Sequence, residues 1–124
     1  MILPSSAFTV LYCLDVEQTK SFYELIGANI KEFSTDKVVV DVAGHDLHFI
    51  LNTAEPFEEY RYVAETGNFG QGVLFYFEVE DLEKFYQLVN SAGGSIKTKI
   101  KANHWDCSEF LFEDPNGFKL VAYK

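Results

Sequence analysis

The fold is decided by the stretch Glu109–Tyr123, which reads EFLFEDPNGFKLVAY. Two runs rich in aromatic and aliphatic side chains flank its central residues 114–117, Asp-Pro-Asn-Gly. Proline presets φ to about −65° for a turn, and asparagine and glycine tolerate the positive φ that follows. The stretch therefore predicts a closing β-hairpin.

The order of one strand, one helix and three strands is predicted twice. The apolar run Phe8–Leu14 indicates a buried strand, and Asp15 stands where the N-cap of the following helix belongs. The run Val73–Val79 and Asp81 repeat this arrangement in the second half. The other predicted strands are 29–33, 37–42, 46–52, 95–101, 108–113 and 118–123.

A short motif indicates an internal duplication. The sequence FYEL at residues 22–25 recurs as FYQL at 85–88, an offset close to half the chain. We therefore predict a single domain spanning residues 1–124, with modules at about 5–52 and 72–124 and a linker at 53–71. A linker of this length is unusual in a compact domain, so it is either functional or a connection whose rings cover the core.

Composition and charge limit the classes of molecule that the protein is expected to bind. Nineteen acidic and ten basic side chains give a formal net charge of −9, which argues against nucleic acid, although solubility alone is an equal explanation. No run approaches the roughly 18 apolar residues of a membrane span. Cys13 and Cys107 lack a metal-type spacing, and residues 1–5 lack the basic start of a signal peptide. We expect reduced thiols and a cytoplasmic location.

The chain resembles the vicinal oxygen chelate superfamily, which includes glyoxalases, extradiol dioxygenases and bleomycin-resistance proteins. The matching features are Asp15 followed seven residues later by Phe22-Tyr23, Val79-Glu80-Asp81 opening a helix, Gly93-Gly94 closing it, and the Asp-Pro-Asn-Gly turn. Trp105 stands shortly before Glu109-Phe110, as in the bleomycin-resistance branch. The resemblance implies an α+β fold in which two tandem βαβββ modules form a cupped, incomplete β-barrel.

The resemblance also bears on metal binding. Metal-dependent members of the superfamily use four inward strand positions filled by His, Glu or Gln, and these positions correspond here to Phe8, His48, Leu74 and Val121. Three of these side chains have no donor atom, and one imidazole alone does not hold a divalent ion against water. We therefore expect no metal, no cofactor and no metal-assisted proton transfer.

A cup walled by rings with few polar groups is typical of a pocket for an organic ligand. Trp105 is the first candidate, because an indole stacks on heterocycles and attracts cations; its alternative role is to close the end of the barrel. His48 is either a ligand contact or a core histidine hydrogen-bonded to Tyr76 or Tyr123. The predicted ligand-binding residues are Trp105, Tyr12, His48, Tyr76, Glu78, Glu109 and Tyr123.

These features favour a binding protein that sequesters an aromatic or cationic small molecule without turning it over. The rival is an enzyme, either a metal-dependent lyase or dioxygenase with a relocated site, or a metal-free isomerase using His48 and Glu109 for proton transfer. A third possibility is a module that binds another protein through exposed rings in residues 53–72. The resemblance also implies a homodimer.

Overall fold

The structure, a computed structural model, describes residues 2–65, 69–103 and 105–124. The strands are β1 (Thr9–Cys13), β2 (Asn29–Phe33), β3 (Lys37–Val42), β4 (His45–Leu51), β5 (Phe75–Glu78), β6 (Ser95–Ile96), β7 (Lys101–Ala102), β8 (Ser108–Glu113) and β9 (Lys119–Tyr123). The helices are α1 (Val16–Leu25), α2 (Glu58–Glu65) and α3 (Leu82–Ser91). No helix in these ranges is long and apolar enough to cross a membrane.

The two halves of the chain form two sheets with the same strand order. The first sheet is ordered β1-β4-β3-β2, with β1 parallel to β4. The second is ordered β5-β9-β8-β6, with β5 parallel to β9, and β7 pairs with the far part of β8. The α+β class, the two modules and the open barrel are thereby confirmed.

Aspartates begin the two main helices, as predicted. The carboxylate of Asp15 accepts the N–H of Gln18 at 2.9 Å, and that of Asp81 accepts the N–H of Lys84 at 3.0 Å. Phe22 follows its cap by about two helical turns, whereas Phe85 follows its cap by about one. The FYEL motif therefore lies one turn further along α1 than FYQL lies along α3, so aligning the two motifs does not superimpose the helices.

The predicted strand 95–101 is wrong in its middle, since β6 and β7 are separate two-residue strands. The carbonyl oxygen of Leu111 accepts the N–H groups of both Lys97 and Thr98, at 2.8 and 3.2 Å. The N–H of Leu111 in turn donates to Thr98 Oγ1 at 2.9 Å. A side-chain hydroxyl thus replaces a main-chain partner, which interrupts the ladder.

The segment 53–71 contains a helix, which the sequence did not predict; residues 66–68 of this segment lie outside the described residues. Of α2 only Ala64 is buried. Phe69, beyond the helix, stacks on Phe118 with ring centroids 5.7 Å apart. Gly70 lies so close to the closing hairpin that a Cβ there would be 2.7 Å from the carbonyl oxygen of Gly117. The end of the segment therefore covers the core, whereas the rings of Phe57, Tyr60 and Tyr62 are exposed.

One hydrophobic core joins the two modules. Tyr23 of α1 packs against Phe49 of β4 with ring centroids 5.1 Å apart, and Phe49 contacts Phe118 of the closing hairpin at 5.9 Å. Phe22 reaches Phe112 of β8 at 6.4 Å. The helix-facing sides of both sheets are thus buried together.

A buried polar knot, formed by Thr19, Tyr23, Asp114 and Asn116, lies within this core. One carboxylate oxygen of Asp114 accepts the N–H groups of Asn116 and Phe118, both at 2.9 Å, which shapes the predicted turn. The other oxygen accepts the hydroxyl of Tyr23 at 2.8 Å. Burial raises the pKa of Asp114, and these hydrogen bonds oppose that rise by stabilising the carboxylate.

Asn116 completes the polar knot by reaching the first module. Its Oδ1 accepts the main-chain N–H of Leu14 at 3.0 Å, and its Nδ2 donates to Thr19 Oγ1 at 3.0 Å. The hydroxyl of Thr19 donates to the carbonyl oxygen of Asp15 at 2.8 Å. The turn of the closing hairpin is therefore tied to the first turn of α1.

Candidate functional site

Each sheet has a second face, turned away from the core, which we call its cup face. In β4, Leu47 and Phe49 are buried in the core, so His48 between them points to the cup face. The register places Val10 and Val39 on either side of His48. The cup face of the first sheet therefore carries a row of apolar residues around one imidazole.

Five of the predicted ligand-binding residues lie together on the second sheet. The register pairs Glu78 with Tyr123 and Tyr123 with Glu109, and Tyr76 points to the same face as Glu78 two residues away. The rings of Tyr76 and Trp105 meet edge to face with centroids 5.5 Å apart, and Tyr123 lies 6.2 Å from Tyr76. We call Tyr76, Trp105 and Tyr123 the aromatic cluster.

A carboxylate is held beside the aromatic cluster. Glu109 Oε1 accepts the amide of Asn103 at 2.6 Å, and Oε2 accepts the hydroxyl of Tyr76 at 3.3 Å. Burial and the negative charge of Glu109 raise the pKa of Tyr76. The two hydrogen bonds fix the orientation of the carboxylate and leave acceptor capacity on both of its oxygens.

Asn103 also shapes the loop that carries Trp105, and the sequence did not predict this role. Its Oδ1 accepts the main-chain N–H groups of Trp105 at 2.8 Å and Cys107 at 3.1 Å. An asparagine two residues before the indole is the signal for such an Asx turn. Trp105 itself is 55% exposed.

Tyr12 and His48 lie on the first sheet, apart from the other predicted residues. The hydroxyl of Tyr12 donates a hydrogen bond to the buried carboxylate of Glu55. The ring of His48 stacks on Phe8 with centroids 4.2 Å apart. The alternative hydrogen bond from His48 to Tyr76 or Tyr123 is absent among the described residues, since the hydroxyl of Tyr76 is donated to Glu109.

The two candidate catalytic residues lie on different sheets. His48 lies in β4 of the first sheet, whereas Glu109 lies in β8 of the second. Among the described residues, the carboxylate of Glu109 is hydrogen-bonded to the side chains of Asn103 and Tyr76. No hydrogen bond among the described residues joins His48 to Glu109.

The residues at the superfamily's metal positions do not fit a divalent ion. Phe8, Leu74 and Val121 offer hydrocarbon only, so His48 is the single donor at these four positions. Within residues 2–65, 69–103 and 105–124, no three His, Cys, Asp or Glu side chains are grouped closely enough to hold an ion. The imidazole of the nearby His45 lies 3.1 Å from the hydroxyl of Thr9.

His48 is expected to titrate below its ordinary pKa in the folded protein, because burial, followed by the positive charge of Lys37, lowers this pKa. The unfolded chain, with a pKa of about 6.5, then binds more protons than the folded chain. The contribution of His48 to stability is complete above about pH 6.5 and is lost as the pH falls through the folded pKa. NMR titration of the ring in the folded protein and in urea measures both midpoints.

The matched variant for this titration is Phe8→Ala, which removes the stacked ring and should move the folded midpoint upward. Identical midpoints in the folded and urea-unfolded chains would contradict the lowered pKa of His48 in the folded protein.

Solved structures share this fold at low sequence identity. A glyoxalase/bleomycin resistance protein/dioxygenase family enzyme from Burkholderia phytofirmans PsJN is 16% identical with a TM-score of 0.81, and the match covers 94% of each chain. A glyoxalase-related enzyme from Fulvimarina pelagi is 16% identical with a TM-score of 0.78, covering 97% of this chain and 88% of that one. An integron cassette protein from V. cholerae is 18% identical with a TM-score of 0.70, covering 99% and 98%.

The sequence itself identifies the family. No curated protein matches it. The sequence model of the Glyoxalase/Bleomycin resistance protein/Dioxygenase superfamily, however, matches residues 6–121, which span most of both modules and of the closing hairpin. The chain therefore belongs to this superfamily.

Proposed function

We propose that the protein is a small-molecule binding protein of the bleomycin-resistance-like type, which sequesters an aromatic or cationic organic ligand without metal-dependent chemistry. The observation that carries this proposal is the aromatic cluster of Tyr76, Trp105 and Tyr123 beside the fixed carboxylate of Glu109. Ring faces supply contact area, and the carboxylate supplies orientation.

The geometry of Trp105 suits a flat or cationic ligand. Tyr76 and the indole meet edge to face at 61°, and more than half of Trp105 is exposed. An indole that closed the end of the barrel would be buried, so the exposure of Trp105 favours ligand contact. Such contacts contribute about 0.5–2 kcal/mol when the ligand is a cation.

The charge around the cluster also favours a cation. Glu109 is held by two neutral donors, and none of the ion pairs formed by the described residues includes it. Glu78 lies on the same face, paired through the strand register with Tyr123. The formal net charge of −9 raises the local concentration of cations further.

The enzyme alternatives have less support. A lyase or dioxygenase would need a metal site, and the donor set at the superfamily's positions does not fit one. An isomerase would need His48 and Glu109 near one substrate, and no hydrogen bond among the described residues links them. The enzymes from Burkholderia phytofirmans PsJN and Fulvimarina pelagi are each only 16% identical to this chain, so they support the fold alone.

We further propose that two copies pair with their ligand pockets at the junction between them, and that the protein acts in the cytoplasm. Phe8, Val10, Leu74 and Tyr76 are all exposed in the single chain, which is unusual for large side chains on adjoining faces. Both cysteines are free, as in a reducing compartment. Light scattering should give about twice the chain mass of 14.1 kDa, whereas the mass of one chain at the same concentration would refute the pairing.

Trp105→Ala should weaken ligand binding by about 2- to 30-fold, the loss expected for one cation–π contact. Equilibrium dialysis against a panel of basic heterocyclic antibiotics finds the ligand class. Quenching of the intrinsic fluorescence then reports on the site directly, because Trp105 is the sole tryptophan of the chain.

The control is Tyr62→Ala, which removes an exposed ring on α2, outside the aromatic cluster. It should leave the affinity unchanged. The proposal is wrong if no compound of the panel binds more tightly than about 1 mM, or if both alanine variants weaken binding equally.

A further inference from the structure

A cavity of about 220 Å³ lies against β1 on the first sheet. Its walls include Val63 of α2, Phe69 and Phe118, so they are largely apolar. Tyr12 and Gln71 are the only polar side chains among its described lining residues. Pockets for drug-sized ligands have volumes of about 300–1,000 Å³, so this smaller cavity suits a ligand that contains a single ring.

The hydroxyl of Tyr12 can only accept a hydrogen bond from a molecule in this cavity. Its single proton is donated to Oε2 of Glu55. Burial and the carboxylate of Glu55 raise the pKa of Tyr12 to about 12, so the phenol keeps its proton at neutral pH. The cavity therefore offers an oxygen acceptor and favours a ligand that donates.

Glu55 adds a negative charge, and the guanidinium beside it contacts its main chain. The residue is 7% exposed, and its Oε1 accepts the N–H of Phe57 at 3.0 Å. The guanidinium of Arg61 donates to the main-chain oxygen of Glu55, at 3.3 Å, rather than to the carboxylate. Among the described residues no ion pair includes Glu55. A buried carboxylate in this position is stabilised when a positive charge approaches.

We propose that this cavity binds a small organic ammonium ion with an apolar body. One N–H of the ammonium group donates to the oxygen of Tyr12, the positive charge faces Glu55 behind it, and the body packs on Val63 and Phe69. The inference is independent of ligand binding at Trp105, because none of the described residues that line this cavity belongs to the aromatic cluster.

Benzylamine, a cation at pH 7, and benzyl alcohol, its neutral counterpart, are the probes. Benzylamine should give saturable NMR shifts at the amides of Val63, Phe69 and Gln71, and benzyl alcohol should bind at least about tenfold more weakly. Glu55→Gln should lower the affinity for benzylamine by about tenfold or more. Glu59→Gln, the same charge change on an exposed residue of α2, should change it by less than about twofold.

Two further variants keep the test decisive if Glu55→Gln does not fold. Val63→Phe fills the cavity and retains Glu55, so it should prevent benzylamine binding, whereas Trp105→Ala should not affect it. The inference is overturned if the amine gives no saturable shifts, if the amine and the alcohol bind alike, or if Glu59→Gln weakens binding as much as Glu55→Gln. Unchanged binding in Val63→Phe, or its loss in Trp105→Ala, also overturns it.

Discussion

The structure depends on the polar knot of Thr19, Tyr23, Asp114 and Asn116. Tyr23 and Asp114 are 91 residues apart in the chain, and Thr19 and Asn116 are 97 apart, yet each pair is joined by a direct hydrogen bond. Buried polar networks are stable only when every member is satisfied. Here no buried side-chain nitrogen or oxygen of the described residues lacks a partner. The polar knot therefore connects the second module to the first and leaves none of its own buried polar groups without a hydrogen bond.

This attachment determines where a ligand can bind. Because the closing hairpin is held against α1, the helix-facing sides of both sheets share one core, and their cup faces remain available. Each module then places an acid beside aromatic residues in its own way. The second holds Glu109 between Asn103 and Tyr76. In the first, the hydroxyl of Tyr12 donates to Glu55, which belongs to the segment 53–71. The two proposed sites follow from this division.

Local sequence rules predicted the parts of the fold that local interactions determine. The aspartate caps, the Asp-Pro-Asn-Gly turn and strands 29–33, 37–42 and 108–113 occur as predicted, since each depends on neighbouring residues. The break between β6 and β7 depends on Thr98 meeting Leu111, a tertiary contact that no local pattern shows. The helix α2 has almost no buried face, so apolar periodicity did not reveal it. No local sequence pattern around Glu55, which stands between Ala54 and Pro56, indicates that its side chain is buried beside Tyr12.

The most direct test of this account is the free energy of unfolding of Asn116→Ala, measured with urea. The substitution removes the acceptor of the Leu14 N–H and the donor to Thr19, so it should cost about 2–4 kcal/mol. Asn90→Ala, on the exposed surface of α3, should change the same free energy by less than about 0.5 kcal/mol. Equal effects of the two substitutions would contradict the claim that the polar knot joins the modules.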